Sequence, residues 1–351
     1  MNALSLDTVR LSDDRTALEI LDQTLLPGEV RVLRLTAIED IWEAIYSLRV
    51  RGAPAIGVCA ACAMALVGSQ IEAADADAFL AAFREKKNYL ATARPTAVNL
   101  FWALDRMERV LTDHPGEDVS ALRRRLFAEA DAIREEDIAI SRAIGRIGLG
   151  LLRRGDGVLT HCNAGTLATA RYGTATAPIY TALEAGWTDL RVYCDETRPL
   201  LQGARLTAFE LTSAGVDTTL LCDNAAASLM AAGKINIIFV GCDRVAANGD
   251  VANKIGTSAV AILARHYGVP FYVCAPSSTL DFTAPDGGAI PIEQRPAEEV
   301  TEMWYARRMA PEGVKVYNPA FDVTDHSLIT GIITERGLCT PPFQDSLLIL
   351  H

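Results

Sequence analysis

The sequence predicts an α/β protein in two parts: a small, mainly helical N-terminal domain with a small sheet at its start, over residues 1–150, and a second domain with a parallel sheet, over residues 151–351. Before residue 150 the apolar residues recur mostly at helical spacing, whereas after residue 153 short apolar runs alternate with helical stretches. Buried strands that alternate with helices are typical of a parallel, doubly wound sheet. A length of 351 residues is also typical of about two domains.

The N-terminal part begins with extended segments and continues as helices. Val30, Val32 and Leu33 form an apolar run after the turn signal Pro27-Gly28, which indicates a strand. Helical patterns follow over 38–46, 58–67, 75–90, 97–111 and 118–152. Most of them are amphipathic, with charged residues on one side.

The second part contains strands and helices in alternation. The predicted strands are 158–160, 190–194, 218–222, 235–240 and 271–275. The predicted helices are 177–185, 204–214, 224–232 and 258–267. Residues 283–299 are rich in Pro and Gly, which predicts a long surface loop that reaches a neighbour or covers a site.

Composition excludes several classes of protein. The 33 Lys and Arg against 44 Asp and Glu leave a formal net charge of −11, which argues against a nucleic-acid-binding surface but not against a local basic pocket. Eight cysteines in so long a chain are not a small disulfide scaffold. The first 20 residues lack a signal-peptide core, and no uninterrupted apolar stretch is expected to reach the roughly 18 residues of a membrane span. We therefore expect a cytoplasmic enzyme that binds neither nucleic acid nor membrane.

Polar or reactive groups follow each of the five predicted strands. They lie in the segments 161–166, 195–199, 223–224, 241–244 and 276–278. Ligands of open α/β sheets bind beyond the carboxyl ends of the strands. Five such strand ends therefore predict an active site at that edge of the sheet.

Cys162 stands between a strand and an expected helix start at Gly165-Thr166. A helix N-terminus favours the thiolate, which would suit Cys162 to catalysis. A small buried residue is an equally good interpretation. His161 is not expected to pair with Cys162, because adjacent residues of an extended chain point to opposite faces, so we expect a structural histidine.

Asp243 follows the apolar run 235–240. We expect its carboxylate to be partly desolvated there, which would raise its pKa and suit it to proton transfer. A pairing with Arg244 or with turn amides is the alternative. Asp223 has a similar place, but helix capping explains it at least as well.

Three segments offer positive charge or close backbone approach for an anion. The stretch RGAPAIG, 51–57, has small residues that allow amides to approach an anion, and it is neither a dinucleotide-binding nor a Walker motif. Arg94 and Lys254 add charge, and a helix that begins at Gly256-Thr257 would offer its amides to a phosphate. Cys59 and Cys62 form a CxxC pair with no second pair to complete a zinc site, so core packing is expected for them.

The same segments carry a resemblance to a known family. They are RGAPAIG (51–57), ARPTAVNL (93–100), THCNAGTLATARYGTA (160–175), DETRPLLQGARLTAFEL (195–211), LCDNAAASLM (221–230), GCDRVAANGDVANKIGT (241–257), PIEQR (291–295) and NPAFDVT (318–324). With these motifs the chain resembles the methylthioribose-1-phosphate isomerases, which share a superfamily with ribose-1,5-bisphosphate isomerase and regulatory subunits of a translation-initiation exchange factor. Asp325 stands where a proline is expected.

The resemblance implies roles for particular residues. Asp243 would be the proton donor, and Cys162 would be a base or a stabiliser of the developing charge. The residues that would bind the sugar phosphate are Arg51, Gly52, Ala53, Arg94, Gln202, Asn253 and Lys254. The family fold implies a small helical N-terminal domain and a Rossmann-like catalytic domain, assembled as a homodimer, with no metal and no organic cofactor.

The implied reaction is an aldose–ketose isomerisation in methionine salvage, from 5-methylthioribose 1-phosphate to 5-methylthioribulose 1-phosphate. The anomeric oxygen carries the phosphate, so ring opening needs a proton at the ring oxygen, and a hydrogen must move from C2 to C1. Proton transfer through Cys162 and direct hydride transfer both remain open. The alternatives are an isomerase of 5-deoxyribose 1-phosphate or ribose 1,5-bisphosphate, and a non-enzymatic regulator of the superfamily.

Overall fold

The computed structural model describes residues 7–95 and 97–349. Within these residues the chain divides into two compact units, one of 7–95, 97–139 and 166–173 and the other of 140–165 and 174–349. The division lies inside a long helix, about ten residues before the predicted boundary at 150, and the first unit also includes the short segment 166–173. Only Thr96 of the motif at 93–100 lies outside the described residues.

The N-terminal unit contains a small antiparallel sheet followed by helices, which confirms the predicted architecture. The strands pair in the order β1 (Val9–Leu11), β2 (Leu18–Leu21), β3 (Val32–Leu35). The helices are α1 (Ile38–Tyr46), α2 (Ala53–Gln70), α3 (Ala76–Ala91), α4 (Val98–Thr112) and α5 (Val119–Leu149), of which α5 crosses the division between the units.

Helix α2 forms the centre of this unit. It begins five residues earlier than predicted, because Pro54 lies in its first turn, where a proline needs no amide partner. Small uncharged residues extend it to 18 residues, so by length and composition it could cross a membrane, and the expectation that no such stretch exists was wrong. The residues from Ala55 to Gly68 are all buried, which is typical of a core helix, and Cys59 and Cys62 pack among them as predicted.

The C-terminal unit contains a seven-stranded sheet in the order β14-β13-β10-β7-β4-β5-β6. Its strands are β4 (Gly157–Thr160), β5 (Arg191–Asp195), β6 (Asp217–Leu221), β7 (Ile237–Val240), β10 (Phe271–Cys274), β13 (Gly331–Thr334) and β14 (Gly337–Cys339). All neighbours are parallel except β13 and β14. The chain runs outward from β4 through β5 and β6 and returns to β7 on the other side, so the strand order reverses between β4 and β7. Ligands of such sheets bind at this switch point.

A second sheet of four strands, which the sequence pattern did not predict, follows β7. Its order is β11 (Leu280–Asp281), β8 (Arg244–Ala246), β9 (Val251–Lys254), β12 (Phe321–Thr324). The remaining helices are α6 (Ala177–Glu184), α7 (Ala208–Ser213), α8 (Ala226–Ala231), α9 (Thr257–Tyr267), α10 (Glu298–Thr301) and α11 (Phe343–Ile349), with a π-helical turn over Gly203–Thr207 before α7. The mixed α/β fold class is confirmed, and the second sheet supplies the residues that follow Asp243.

Candidate active site

The loop after β4 holds Cys162 in a constrained conformation. Cys162 has φ 64°, a left-handed backbone that non-glycine residues rarely adopt, and it is 9% exposed. Its amide donates to Thr197 Oγ1 at 2.8 Å, and its carbonyl accepts from Thr207 Oγ1 at 2.6 Å. Both threonines are fully buried. A strained residue held from two sides is typical of a functional site.

The helix expected to begin at Gly165-Thr166 is absent from the described chain. The segment Thr166–Ala168 forms a single 3₁₀ turn, so no α-helix N-terminus stabilises a thiolate at Cys162 there. Gly165 is required for a different reason, because a Cβ at this position would lie 1.5 Å from the buried carboxylate of Glu210. The loop can therefore pass closely over α7 only with a glycine.

His161 does not pair with Cys162, as predicted. Its Nδ1 lies 3.0 Å from Asp195 Oδ2, and its Nε2 lies 2.8 Å from the carbonyl oxygen of Ile255. Burial opposes a charge on the imidazole, but the hydrogen bond and charge of Asp195 outweigh it and raise the pKa of His161. The side chain thus links the Cys162 loop to the loop after β9.

Asp223 does not cap its own helical turn, in contrast to the interpretation from sequence. Its two carboxylate oxygens accept the backbone amides of Thr197 and Arg198, each at 2.7 Å. It therefore fixes the segment after β5, which in turn holds Cys162 through Thr197.

A small pocket in the C-terminal unit brings together Gln202 and Lys254, two of the predicted substrate-binding residues. Its lining consists of Pro199, Leu200, Gln202, Lys254, Ile255, Arg295, Glu299, Asn318, Pro319 and Ala320. Gln202 is 7% exposed, and its Oε1 has no hydrogen-bond partner within the described residues. A buried acceptor without a partner costs free energy, which indicates that a ligand donor or water belongs there.

The predicted loop over 283–299 contributes Arg295 and Glu299 to the pocket wall. Arg295 Nε donates to Glu299 Oε1 at 3.0 Å, and a second guanidinium nitrogen lies 3.0 Å from Glu293. Asn318 Nδ2 donates to the other oxygen of Glu299 at 3.2 Å. Two carboxylates therefore neutralise Arg295. Lys254 lies with its Nζ 4.4 Å from the ring centroid of Phe321 and forms no ion pair with any carboxylate in the described part of the chain.

The start of α9 does not offer its amides to a phosphate, and that prediction is corrected. Asp322 accepts the amides of Gly256 and Ser258 at 2.8 and 3.1 Å, so a carboxylate of the chain itself occupies the place expected for an anion. Asn253 is nearly buried and donates from Nδ2 to Thr257 Oγ1 at 3.1 Å.

Asp243 is exposed, and the expectation of a desolvated carboxylate was wrong. The residue lies three positions beyond the end of β7, where its amide donates to the Ala252 carbonyl at 3.0 Å and starts the hairpin of β8 and β9. Arg244 pairs with Asp281. The Asp243 residue is therefore accessible to solvent.

Arg51, Gly52, Ala53 and Arg94 belong to the N-terminal unit. Gly52 precedes α2 with φ 91°, and a Cβ on it would lie 2.5 Å from the Cα of Ala168. This close approach within the unit requires a glycine. Thr197, Thr207, Asn163 and Glu210 were not predicted as site residues, because single polar side chains of these types are too common in a sequence to be selected.

A mainly parallel sheet whose strand order reverses between β4 and β7, with Cys162 and Asp243 on the segments that follow these two strands, defines a Rossmann-like protein. The chain belongs to the initiation factor 2 subunit family, whose model matches residues 49–341.

Several similar proteins are sugar-phosphate isomerases by name. A methylthioribose-1-phosphate isomerase of Symbiobacterium thermophilum is 63% identical over 97% of this chain and 95% of that protein. A 5-deoxyribose 1-phosphate isomerase of Bacillus thuringiensis is 54% identical over 97% of this chain and 96% of that protein. The crystal structure of 5-methylthioribose 1-phosphate isomerase from Pyrococcus horikoshii has a TM-score of 0.94 and 42% identity over 99% of this chain and 96% of that one. These similarities confirm that the chain is an isomerase of the intramolecular oxidoreductase type.

Proposed function

We propose that the protein converts 5-methylthioribose 1-phosphate to 5-methylthioribulose 1-phosphate in methionine salvage. One observation carries the proposal: in the same unit as Cys162 and Asp243, a pocket is lined by Lys254 at the end of β9 and by Gln202, whose amide oxygen has no hydrogen-bond partner within the described residues. The ammonium group suits a phosphate, and the amide oxygen suits a sugar hydroxyl. The 63% identical relative supports the same assignment.

Asp243 is proposed as the acid that protonates the ring oxygen when the C1–O bond of the ring breaks. Its exposed carboxylate can reach a ligand and recover its proton from solvent. General acids of this kind typically contribute about 10²–10⁴-fold to the rate. The amide of Asp243 is held in the β8–β9 hairpin, so the side chain projects from a fixed backbone.

Cys162 is proposed as the second catalytic group. In the proton route its thiolate removes the C2 proton, and the same hydrogen or one from solvent is delivered to C1, which gives the ketose. In the hydride route the hydrogen moves from C2 to C1 with its electron pair, and Cys162 stabilises the charge. The two bonds from Thr197 and Thr207 fix the sulfur-bearing residue for either role.

The sugar phosphate is proposed to bind through Gln202, Asn253 and Lys254 of the C-terminal unit. Arg51, Gly52, Ala53 and Arg94 of the N-terminal unit are proposed to take part, on the strength of the motifs that carry them. Lys254 supplies the charge for one phosphate, whereas Arg295 is already neutralised by Glu293 and Glu299. This favours a substrate with a single phosphate over ribose 1,5-bisphosphate.

5-Deoxyribose 1-phosphate is a second candidate substrate. Relatives about 54% identical carry the name of that activity. The two substrates differ only in a methylthio group, and small apolar differences typically support about 1–3 kcal/mol of discrimination. We therefore propose that both are turned over. From the resemblance to this family we also propose a cytoplasmic homodimer. The presence of both Cys162 and Asp243 disfavours a purely regulatory protein.

The test is a comparison of kcat/KM on the three sugar phosphates with purified protein. The expected order places 5-methylthioribose 1-phosphate first, 5-deoxyribose 1-phosphate within about 200-fold, and ribose 1,5-bisphosphate last. Turnover of the bisphosphate alone would contradict the proposal. The same reaction in D₂O tests the route: deuterium at C1 indicates proton transfer through an exchanging group, and complete retention of a C2 label counts against exchange through bulk solvent.

A further inference from the structure

Each ring nitrogen of the His161 imidazole faces an oxygen atom that can accept a hydrogen bond. Nδ1 faces the carboxylate of Asp195 and Nε2 faces the carbonyl oxygen of Ile255, and a carbonyl can only accept. The ring is 1% exposed and Asp195 is fully buried. A neutral imidazole has one N–H, so beside an ionised Asp195 it could donate to only one of these two groups. Two donated bonds require both ring nitrogens to carry a hydrogen.

The loop after β9 is shaped to receive this ring. Gly256 has φ 103°, and a Cβ there would lie 2.7 Å from Cε1 and 2.9 Å from Nε2 of His161. On the other side of the loop, Asp322 holds the amides of Gly256 and Ser258. The backbone from Ile255 to Ser258 is thus fixed between the imidazole and a carboxylate, and Lys254, which lines the pocket, precedes it directly.

The same histidine lies next to Cys162 in sequence, and its partner Asp195 reaches Cys162 by a second path. The Asp195 carbonyl accepts from Thr197 Oγ1 at 3.1 Å, and that oxygen accepts the Cys162 amide. Asp223 completes this path by holding the Thr197 amide. The charged or titratable groups that face the imidazole are Asp195, Asp223 and Asp322.

From this geometry we propose that His161 is a positioning residue, a doubly protonated imidazole that fixes the Lys254 loop relative to the Cys162 loop. It touches no reacting atom. Its bond to Ile255 sets the position of Lys254, which binds the substrate phosphate under the proposed function, and its bond to Asp195 sets the segment that holds Cys162. This inference rests on the proposed function for its kinetic readout and on the structure alone for the state of the ring.

Two variants separate the two bonds. His161→Gln places an amide nitrogen near the position of Nε2, so the bond to Ile255 is kept and that to Asp195 is lost. His161→Asn places an amide near Nδ1, so the Asp195 contact is kept and the Ile255 bond is lost. We expect His161→Asn to raise the KM for 5-methylthioribose 1-phosphate about tenfold, the equivalent of one charge-assisted bond, with a smaller change in kcat. We expect His161→Gln to keep KM within about threefold and to lower kcat instead.

The matched control is His326→Gln, which removes a second histidine–aspartate pair, with Asp250, from the same unit. His326 is outside the pocket, so its loss is expected to leave KM and kcat unchanged. Equal KM values for wild type, His161→Gln and His161→Asn would overturn the positioning role. If the wild type turns over no sugar phosphate at all, the proposed function is wrong, and the protonation state of the His161 ring then tests the positioning role by itself.

The ring state is measured on the wild type, so it does not depend on any variant folding. We expect ¹⁵N spectra at neutral pH to show two protonated nitrogens for His161. The His161 signals are assigned as those missing from the spectrum of His161→Gln. If that variant does not fold, they are assigned as the signals that remain after the other four histidines are replaced. A bare nitrogen in His161 would overturn the proposal. Asp195→Asn, which keeps the shape of the side chain, is expected to leave one nitrogen bare and to lower kcat as His161→Gln does, with KM within about threefold of the wild type.

Discussion

Cys162 and Asp243 both follow strands at the switch point of the sheet, yet the chain holds them in opposite ways. Cys162 is 9% exposed, and its backbone is bound by the side chains of Thr197, in the loop after β5, and Thr207, in the π-helical turn before α7. Asp243 is exposed, and its own strand hairpin holds it by a backbone ladder. Because side chains of other segments hold Cys162, a substitution distant in sequence can displace it. Because a backbone hairpin holds Asp243, its side chain can be replaced without moving the backbone.

The largest effect is expected for Asp243→Asn. The change removes the proposed acid and leaves the backbone bond to Ala252 in place, so kcat should fall by about 10²–10⁴-fold. Because the side chain is exposed, the thermal midpoint should stay within about 1 °C of that of the wild type. Steady-state kinetics and calorimetry on the same preparation measure both. Full activity in this variant would remove Asp243 from the mechanism.

The second-largest loss of activity is expected for Thr207→Val, which displaces Cys162 without changing the cysteine itself. The hydroxyl of Thr207 donates to the Cys162 carbonyl and accepts from Asn163 Nδ2 at 3.1 Å. Valine leaves both groups buried without this partner, which costs about 1–3 kcal/mol for each unsatisfied group. Stability and kcat should therefore fall together, kcat by about tenfold or more.

Thr207→Ser is the control for that variant. Serine keeps the hydroxyl and loses one methyl group, so kcat should return to near the wild-type value. If Thr207→Val is destabilised but keeps normal kcat in the folded fraction, the side-chain support of Cys162 has no catalytic consequence, and the contrast with Asp243 is only structural.

Much of this arrangement was predictable from the sequence. The five strands 158–160 to 271–275 and the helix 38–46 have apolar patterns that depend on local spacing, and the structure contains all of them. The wrong expectation for Asp243 has a physical reason: β7 ends at Val240, and the chain enters a new hairpin whose short strands carry no strong alternation. The carboxylate of Asp322 at the start of α9 comes from 66 residues further along the chain, a contact that no local pattern contains.

The third-largest effect, a change in substrate preference, is expected for Glu299 in the pocket wall. Glu299 is 5% exposed and neutralises Arg295, so Glu299→Gln would leave this guanidinium with Glu293 as its remaining carboxylate. We expect kcat/KM for ribose 1,5-bisphosphate to rise by about three- to tenfold relative to that for 5-methylthioribose 1-phosphate. Glu293→Gln, at the more exposed partner, should give a smaller change. An equal change for both substrates would show that this wall does not face the 5-substituent.

The smallest effect extends the comparison to a second acid, Asp137 in α5. Burial raises the pKa of Asp137 to about 7, although the Ala170 amide and Arg134 oppose the rise. An acid with a raised folded pKa lets the native state bind an extra proton, so the free energy of unfolding should fall as pH rises from about 4 to 7. Asp137→Asn keeps an acceptor for Ala170 and should be more stable than wild type at pH 8 but not at pH 5, in urea titrations. A stability difference that does not change between these two pH values would show that Asp137 is ionised throughout.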